Sequence, residues 1–261
     1  MINTMIISIA NHKGGVGKTA TAQNLGAGLA KKGFKTLVID LDAQANLSVS
    51  FGIDSADKTI YEALKGEIAL PIYKINDHLD IVPSNLNLSA IEIEMLSQAG
   101  RDFFLKSLIE KIKINYDFIL IDCPPSIGVL TINALTASDK VIIPMEAHFL
   151  AVQGISKLYE VINIVIERLN SKLAVMGILI TKFDKRTTIQ NDIKDAILED
   201  KEHNVFETYI RVNTSIAEST YLGQDIFEYA PNSNGAKDYA DNLIKPNPST
   251  FNLEVEEKGR E

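Results

Sequence analysis

Nine residues near the start of the chain combine glycines, lysines and hydroxyl groups in an order suited to phosphate binding. They are Asn11-His12-Lys13-Gly14-Gly15-Val16-Gly17-Lys18-Thr19. Glycines let successive backbone N–H groups turn inward around phosphate oxygens, and a following helix adds the positive charge of its N-terminus. Lys18 can reach the β- and γ-phosphates, and the Thr19 hydroxyl can ligate Mg²⁺. His12 stands where a strict G-x-x-x-x-G-K-[ST] pattern has glycine, yet the segment still predicts a nucleoside triphosphate site.

Three aspartates follow apolar segments that we predict to be strands. Asp40 and Asp42 close the second apolar segment, and Asp122 closes the fourth. A doubly wound sheet binds ligands at the carboxyl edge of its strands, and carboxylates there can hold Mg²⁺ directly or through water. Each acid alone is equally well explained as a helix cap or a solvated turn residue. Three of them beside a phosphate loop favour a metal site.

The composition is that of a globular protein with material for a sizeable core. Hydrophobic residues make up 46% of the 261 positions, the mean hydropathy is near zero, and the formal net charge is −8. Such an acidic chain is not expected to coat nucleic acid uniformly, although a local basic patch remains possible. A single cysteine, Cys123, excludes an intrachain disulfide framework and an all-cysteine metal site, and we expect it to be a buried hydrophobe.

Short apolar segments alternate with segments of helical periodicity along the chain. Predicted strands cover residues 5–10, 36–40, 79–83, 118–122, 141–145, 176–183 and 205–210. Predicted helices carry apolar residues at Leu25, Leu29 and Ala30, at Leu158, Ile162, Val165 and Ile166, at Ile193, Ile197 and Leu198, and at Tyr239, Leu243 and Ile244. This alternation predicts an α/β fold with a single doubly wound, mainly parallel sheet and helices on both faces.

We predict one domain over residues 1–245. Residues 46–75 are less periodic and should form loops and short helices over the sheet edge. Residues 246–261 contain two prolines and an acidic excess, which predicts a disordered tail. No apolar run reaches the ~18 residues of a spanning helix, and the opening apolar run indicates a strand rather than a signal peptide, so we expect a cytoplasmic protein.

The sequence resembles the ParA/Soj partition ATPases, a branch of the ParA/MinD group. The resemblance runs from about Met5 to Lys245, which is nearly the whole chain. Its motifs are the deviant Walker A loop with Lys13, Val38-Ile39-Asp40-Leu41-Asp42-Ala43-Gln44, Ile121-Asp122-Cys123-Pro124-Pro125-Ser126, Thr131-Ile132-Asn133-Ala134-Leu135, and the C-terminal Ile226-Phe227-Glu228-Tyr229 with Asn234-Gly235-Ala236-Lys237-Asp238-Tyr239. His12, usually Gln or Gly in the family, and Ala43, usually Pro, depart from the pattern.

The resemblance implies a weak ATPase that uses ATP and Mg²⁺. It implies that Lys13, Lys18 and Asp42 are catalytic, with Asp42 orienting the attacking water. Thr19, Asp40 and Asp122 would support the metal. The nucleotide-binding residues would be Lys13, Gly14, Gly15, Val16, Gly17, Lys18, Thr19 and Ala20. Two subunits would sandwich two ATP molecules, each lending Lys13 to the nucleotide of its neighbour, much as an arginine finger acts in trans.

The resemblance also implies partners. The ATP-bound homodimer would bind double-stranded DNA without sequence preference, associate with the nucleoid, and be stimulated by a ParB-like centromere-binding protein. Arg186 matches one family DNA-contacting arginine. A second such arginine aligns with Ser215, although Arg211 lies nearby, and Lys185 could add to the patch. Alternatively, these basic residues lie on a solvated loop and have no binding role.

Other functions on this fold remain to be weighed. A MinD-like ATPase acting at a membrane or positioning a protein cargo would need a basic amphipathic C-terminal helix, whereas this tail is acidic, so no membrane partner is expected. An iron–sulfur reductase component would need two cysteines per subunit. An ATP-dependent ligase or synthetase is possible by fold alone, without a substrate motif to support it.

Overall fold

A seven-stranded sheet organises the residues that this computed structural model describes, which are 4–199 and 203–242. The strands are β1 Met5–Ile9, β2 Thr36–Asp40, β3 Tyr73–Lys74, β4 Leu79–Val82, β5 Phe118–Asp122, β6 Lys140–Glu146 and β7 Ala174–Thr181. Their order is β3-β4-β2-β5-β1-β6-β7, and every pairing is parallel except that of β3 with β4. The predicted doubly wound, mainly parallel sheet is confirmed.

Helices lie on both faces of this sheet. They are α1 Lys18–Lys31, α2 Asn46–Ser50, α3 Ile60–Leu64, α4 Leu88–Glu94, α5 Phe104–Glu110, α6 Val129–Ala137, α7 Phe149–Arg168, α8 Thr188–Glu199, α9 Thr214–Tyr221, α10 Ile226–Tyr229 and α11 Asn234–Asn242. Helix α1 packs with α2, α10 and α11 over one face. The apolar residues of α3 to α8 join the cluster on the other face.

The central strands are buried on both sides because consecutive residues point to opposite faces. On β2, Leu37 and Ile39 join one hydrophobic cluster and Val38 joins the other. On β5, Ile119 and Ile121 alternate with Leu120 in the same way. The continuous apolar runs of the sequence therefore have the double burial that they predict.

Two details of the strand prediction were wrong or incomplete. Residues 205–210 do not form a strand: Val205 makes one isolated bridge to β7, the chain bends at Glu207, and a second bridge follows at Arg211. The Phe206 ring lies directly over Gly177, where a Cβ atom would come within 3.1 Å of it. Separate backbone hydrogen bonds of Asn204, Phe206 and Ile210 to β7, rather than a regular ladder, complete the attachment of this segment. The two-residue antiparallel strand β3 was not predicted.

The helix predictions hold for the described residues. Leu25, Leu29 and Ala30 are buried on α1, and short helices α2 and α3 occupy the 46–75 segment as expected. On α8, Ile197 is buried but Leu198 is exposed. Leu243, Ile244 and the predicted tail 246–261 lie outside the described residues, as does the proposed domain boundary at 245.

Candidate functional site

The phosphate loop runs from the end of β1 to the start of α1. Two of its glycines adopt the left-handed backbone conformation, Gly15 with φ 78° and Gly17 with φ 87°. This conformation is costly for residues with a side chain, which explains glycine at both positions. Gly17 is also the N-cap of α1, so the partial positive end of that helix faces the loop. Gly14 and Gly15 are exposed, whereas Val16 is buried and anchors the loop.

Side chains from neighbouring strands hold the loop in shape. Asn11 accepts a hydrogen bond from the Lys13 amide at 3.0 Å and donates one to the Pro144 carbonyl at 2.7 Å. The Thr181 hydroxyl donates to the Val16 carbonyl at 2.8 Å, and Lys182 Nζ donates to the Gly15 carbonyl at 2.6 Å. The Gly15 and Val16 carbonyls are thereby engaged by side chains, which leaves the loop N–H groups available to an anion.

The two loop lysines lie in different environments. Lys18 is buried, and its Nζ donates to the Lys13 carbonyl at 3.1 Å. Burial lowers the pKa of Lys18, an effect that the charge of Asp122 opposes. Lys13, in contrast, is exposed. Lys18 is thus placed to meet phosphate oxygens within its own loop, whereas Lys13 can extend away from it.

Strand register brings two of the predicted acids side by side. Asp40 and Asp122 are partners across β2 and β5, and Ile9, at the end of β1, pairs with Asp122 on its other side. Asp42, two residues beyond β2, is partly exposed near the same edge, where its charge acts on Asp40, Asp122 and Lys18. The predicted convergence of acids at the carboxyl edge is what the parallel sheet produces.

The carboxylate of Asp40 accepts hydrogen bonds from nearby residues of its own chain. Its Oδ2 accepts hydrogen bonds from the Ser48 amide at 2.8 Å and hydroxyl at 2.7 Å, and its Oδ1 accepts one from the Asp42 amide at 3.1 Å. Burial raises the pKa of Asp40 to about 6, although the hydrogen bonds from Ser48 oppose this shift. Asp40 therefore fixes the turn between β2 and α2, and any support it gives to a metal would pass through that turn.

Asp122 shows the opposite pattern. It is 1% exposed, and neither of its carboxylate oxygens has a hydrogen-bond partner of ordinary geometry among the described residues. Burial raises the pKa of Asp122 well above its usual range, the charge of Asp40 adds to the shift, and the nearby Thr19 hydroxyl opposes it. A buried carboxylate without a partner is costly unless a cation or donor arrives, so Asp122 with Thr19 fits Mg²⁺.

A metal here would depend on the nucleotide. Within the described parts of the chain, no three His, Cys, Asp or Glu side chains gather as a ready-made metal cage. Mg²⁺ commonly takes only one or two protein ligands and completes its shell with water and phosphate oxygens. The Thr19 and Asp122 pair therefore suits a metal that arrives with a triphosphate.

His12 and Cys123 have no chemistry assigned from the sequence. Burial lowers the pKa of His12, and the charges of Lys157, Lys18 and Lys13 add to the effect, so its imidazole is expected to be neutral. Cys123 is 1% exposed, and burial raises the pKa of its thiol, as expected for a small core residue.

The predicted DNA-contacting residues lie at the far end of β7 and beside it. Arg186 is exposed, and its guanidinium bonds both carboxylate oxygens of Asp184. Lys185 is exposed and places its Nζ 5.4 Å from the centre of the Tyr209 ring. Arg211 is held by Asp238 of α11, which accepts from both its amide and its guanidinium. Their role in DNA binding stays a prediction.

Sequence reasoning missed the contacts that Thr181, Lys182 and Glu146 make at the loop. Lys182 Nζ forms an ion pair with Glu146 Oε1 at 3.1 Å in addition to its bond to Gly15. A lysine near the end of an otherwise apolar predicted strand, residues 176–183, could have drawn attention. Its partners are more than 30 residues away in the chain, so the sequence alone did not indicate them.

Membrane spanning has no support within residues 4–199 and 203–242, where no helix is both long and apolar enough to cross a bilayer. This finding concerns spanning helices alone.

The chain is similar to known proteins over most of its length. A family model described as an AAA domain matches residues 4–175. The sporulation initiation inhibitor protein Soj of Bacillus subtilis is 40% identical over 241 residues, which cover 90% of this chain and 95% of Soj. The chromosome partitioning protein ParA of Myxococcus xanthus is 39% identical over 241 residues, covering 90% of this chain and 84% of that protein.

Solved structures share the fold over most of the chain. A putative plasmid partition protein of Borrelia burgdorferi bound to AMPPNP has a TM-score of 0.78 at 29% identity, covering 93% of this chain and 97% of that one. Cobyrinic acid a,c-diamide synthase of Mycobacterium smegmatis with bound ADP and magnesium has a TM-score of 0.81 at 31% identity, covering 92% and 93%.

Proposed function

Because this chain belongs to the ParA/Soj family of partition ATPases, we propose that it is a Mg-ATP-dependent switch that segregates plasmid or chromosomal DNA. Family membership supports ATP hydrolysis, and the site supplies groups that suit it. The finer proposal is that ATP drives homodimerisation and sequence-independent DNA binding, and that hydrolysis reverses both.

Within one subunit, each residue has a distinct task. The inward-facing amides of the phosphate loop and the buried Lys18 would bind the β- and γ-phosphates. Thr19 and Asp122 would hold Mg²⁺, which neutralises charge on the phosphate oxygens. Asp42, the partly exposed acid near this edge, would orient the attacking water, and Asp40 would keep the turn that carries Asp42 in place through Ser48.

The proposed dimer rests on the exposure of Lys13 in the phosphate loop. The same loop that buries Lys18 leaves Lys13 exposed. A second subunit facing this loop would receive the Lys13 ammonium near its own γ-phosphate, where a cation stabilises charge in the transition state. The structural relative bound to AMPPNP and the relative bound to ADP with magnesium support the proposal that this chain binds a nucleotide.

DNA and a ParB-like protein are the proposed partners. Arg186 and Lys185 are exposed on the loop after β7. The whole chain carries a formal charge of −8, so one subunit offers only a small basic area. A dimer doubles that area, which accounts for a requirement for ATP. The partner would be a centromere-bound protein whose basic N-terminal segment raises the hydrolysis rate.

The deciding experiment measures binding to fluorescent random duplex DNA at low salt with ATP, ADP or no nucleotide. We expect binding with ATP only, and steep loss of binding as salt rises. Lys13→Ala is the matched variant, expected to bind ATP yet fail to retain DNA. Absence of ATP-dependent DNA binding by the unmodified protein would refute the proposed DNA scaffold and would leave a protein cargo as the better hypothesis.

A further inference from the structure

Lys182, directly after β7, contacts two separate parts of the molecule, the phosphate loop and the end of β6. Its Nζ donates to the Gly15 carbonyl at 2.6 Å and pairs with Glu146, at the end of β6, at 3.1 Å. Its backbone is in the left-handed region with φ 50°, one of two such non-glycine residues in the described chain. This conformation is uncommon for lysine and persists only when the surroundings over-determine it.

We propose that Lys182 is a positioning residue that shapes the phosphate loop and links it to the loop between β7 and α8. The inference deepens the proposed function, on which it rests for its regulatory meaning, and it concerns nucleotide binding by the single subunit. Its ammonium holds one loop carbonyl outward, and its backbone begins the segment that carries Lys185 and Arg186.

The effect on the phosphate loop follows from peptide geometry. A planar peptide places its carbonyl and N–H on opposite sides, so a donor that fixes the Gly15 carbonyl outward turns the Val16 amide inward. Thr181 does the same for the next peptide by bonding the Val16 carbonyl at 2.8 Å. The two residues at the end of β7 thus orient two consecutive amides of the anion-binding loop before any nucleotide arrives.

Glu146 holds the Lys182 side chain in position through an ion pair. Its second carboxylate oxygen lies 3.0 Å from His148 Nε2, and its first pairs with Lys182. The acid fixes the direction of the lysine side chain and balances its charge, so Lys182 is directed to a carbonyl and a carboxylate.

The link to the β7–α8 loop is short and continuous. Phe183 is buried against Tyr209, with ring centres 4.5 Å apart, and fixes the chain immediately after Lys182. Asp184 then accepts from the Arg186 amide at 3.0 Å and from its guanidinium. Movement of the Gly15 peptide on nucleotide binding would therefore be transmitted over four residues to Arg186.

The first test measures ADP and ATP affinity by calorimetry in Lys182→Met, Lys182→Arg and Lys74→Met. Lys74 is a matched control, an exposed lysine paired with Asp77 at 2.8 Å on the edge strand β3. We expect Lys182→Met to weaken ADP and ATP equally, by about tenfold for one lost charge-assisted contact, Lys182→Arg to recover part of the loss, and Lys74→Met to match the parent.

Equal losses for both nucleotides separate a positioning role from a direct contact with the γ-phosphate, since a lysine on that phosphate would affect ATP alone. Thermal unfolding of the nucleotide-free variants should be unchanged, which excludes general destabilisation. Parental affinity in Lys182→Met, or a loss confined to ATP, would overturn the proposal. ADP binding needs neither dimer nor DNA, so these outcomes are independent of the proposed DNA function.

The second test addresses the link by amide hydrogen exchange over residues 183–190. ADP should slow exchange in this segment of the parent and of Lys74→Met, and should leave it unchanged in Lys182→Met at saturating ADP. The link would be contradicted if ADP did not change the exchange rate of this segment in the parent. It would also be contradicted if ADP still slowed exchange in Lys182→Met.

Discussion

At the residue scale, Lys13 and Lys18 divide the work of one loop because one is exposed and the other buried. Lys13→Ala should retain ADP binding but lose ATP-driven self-association, and its turnover should fall by on the order of 10³-fold, as expected when a cation supplied in trans is removed. Lys18→Ala should lose nucleotide binding itself. Calorimetry, light scattering and phosphate release distinguish the two. A Lys13→Ala protein that dimerises and hydrolyses ATP normally would disprove exchange of this lysine between subunits.

Asp122 gives a second prediction at this scale, because its buried carboxylate has no hydrogen-bond partner of ordinary geometry among the described residues. Asp122→Asn removes an acid that must be either buried as a charge or protonated on folding, and it should raise the free energy of unfolding of the nucleotide-free protein by about 1–2 kcal/mol. The same change should abolish the extra stabilisation that Mg²⁺ adds to ADP. Urea unfolding with and without Mg-ADP measures both effects. A less stable apo variant that still responds to Mg²⁺ would argue against a metal role.

At the element scale, helix α1 approaches β2 closely at Gly26. A Cβ atom there would lie 2.6 Å from Val38 Cγ1. Gly26→Ala should therefore destabilise the protein by about 1–3 kcal/mol through overpacking, measured by chemical denaturation. Helix propensity alone predicts a gain of about 1 kcal/mol, so the sign of the change identifies the cause. A stabilised variant would show that the helix can shift away from the sheet without cost.

Arg211 and Arg186 make a contrasting pair on elements near β7. Arg211 joins the segment after α8 to Asp238 of α11, whereas Arg186 bonds Asp184 within its own loop. Arg211→Ala should lower the free energy of unfolding by about 1–3 kcal/mol, since it removes several charge-assisted hydrogen bonds from a buried carboxylate. Arg186→Ala should leave stability within about 0.5 kcal/mol. Thermal melts compare them, and equal melts would contradict a structural role for Arg211.

The sequence predicted those elements whose pattern is local. Six strands followed from apolar runs, and the convergence of Asp40 with Asp122 followed from parallel pairing. Strand β3 was missed because two residues are too few to show a period. The prediction of a strand over residues 205–210 was wrong because a β-branched apolar run also suits a segment that packs over Gly177 without forming a regular ladder. The contact of Lys182 with Gly15 spans 167 positions, beyond any local pattern.

At the scale of the whole molecule, the chain is acidic and its predicted DNA contacts are few, with a formal charge of −8 overall. The logarithm of the DNA affinity should fall linearly with the logarithm of the salt concentration. Arg186→Ala should reduce this slope by about 1 per subunit, hence about 2 per dimer. Fluorescence anisotropy over a salt series tests this. An unchanged slope in the variant would remove Arg186 from the DNA surface.

The two edges of the sheet, β3 and β7, differ in how they end. On one side β3 contributes only two antiparallel residues. On the other, β7 is flanked by a stretch that bridges it at Val205, bends away, and next forms a bridge between Arg211 and Phe183, beyond the end of β7. Unpaired strand edges are where chains recruit one another by adding strands. Neither border of this sheet presents a long, regular row of free backbone groups. If the proposed ATP-bound dimers assemble further, we therefore expect them to do so through side-chain surfaces of helices and loops rather than by strand addition.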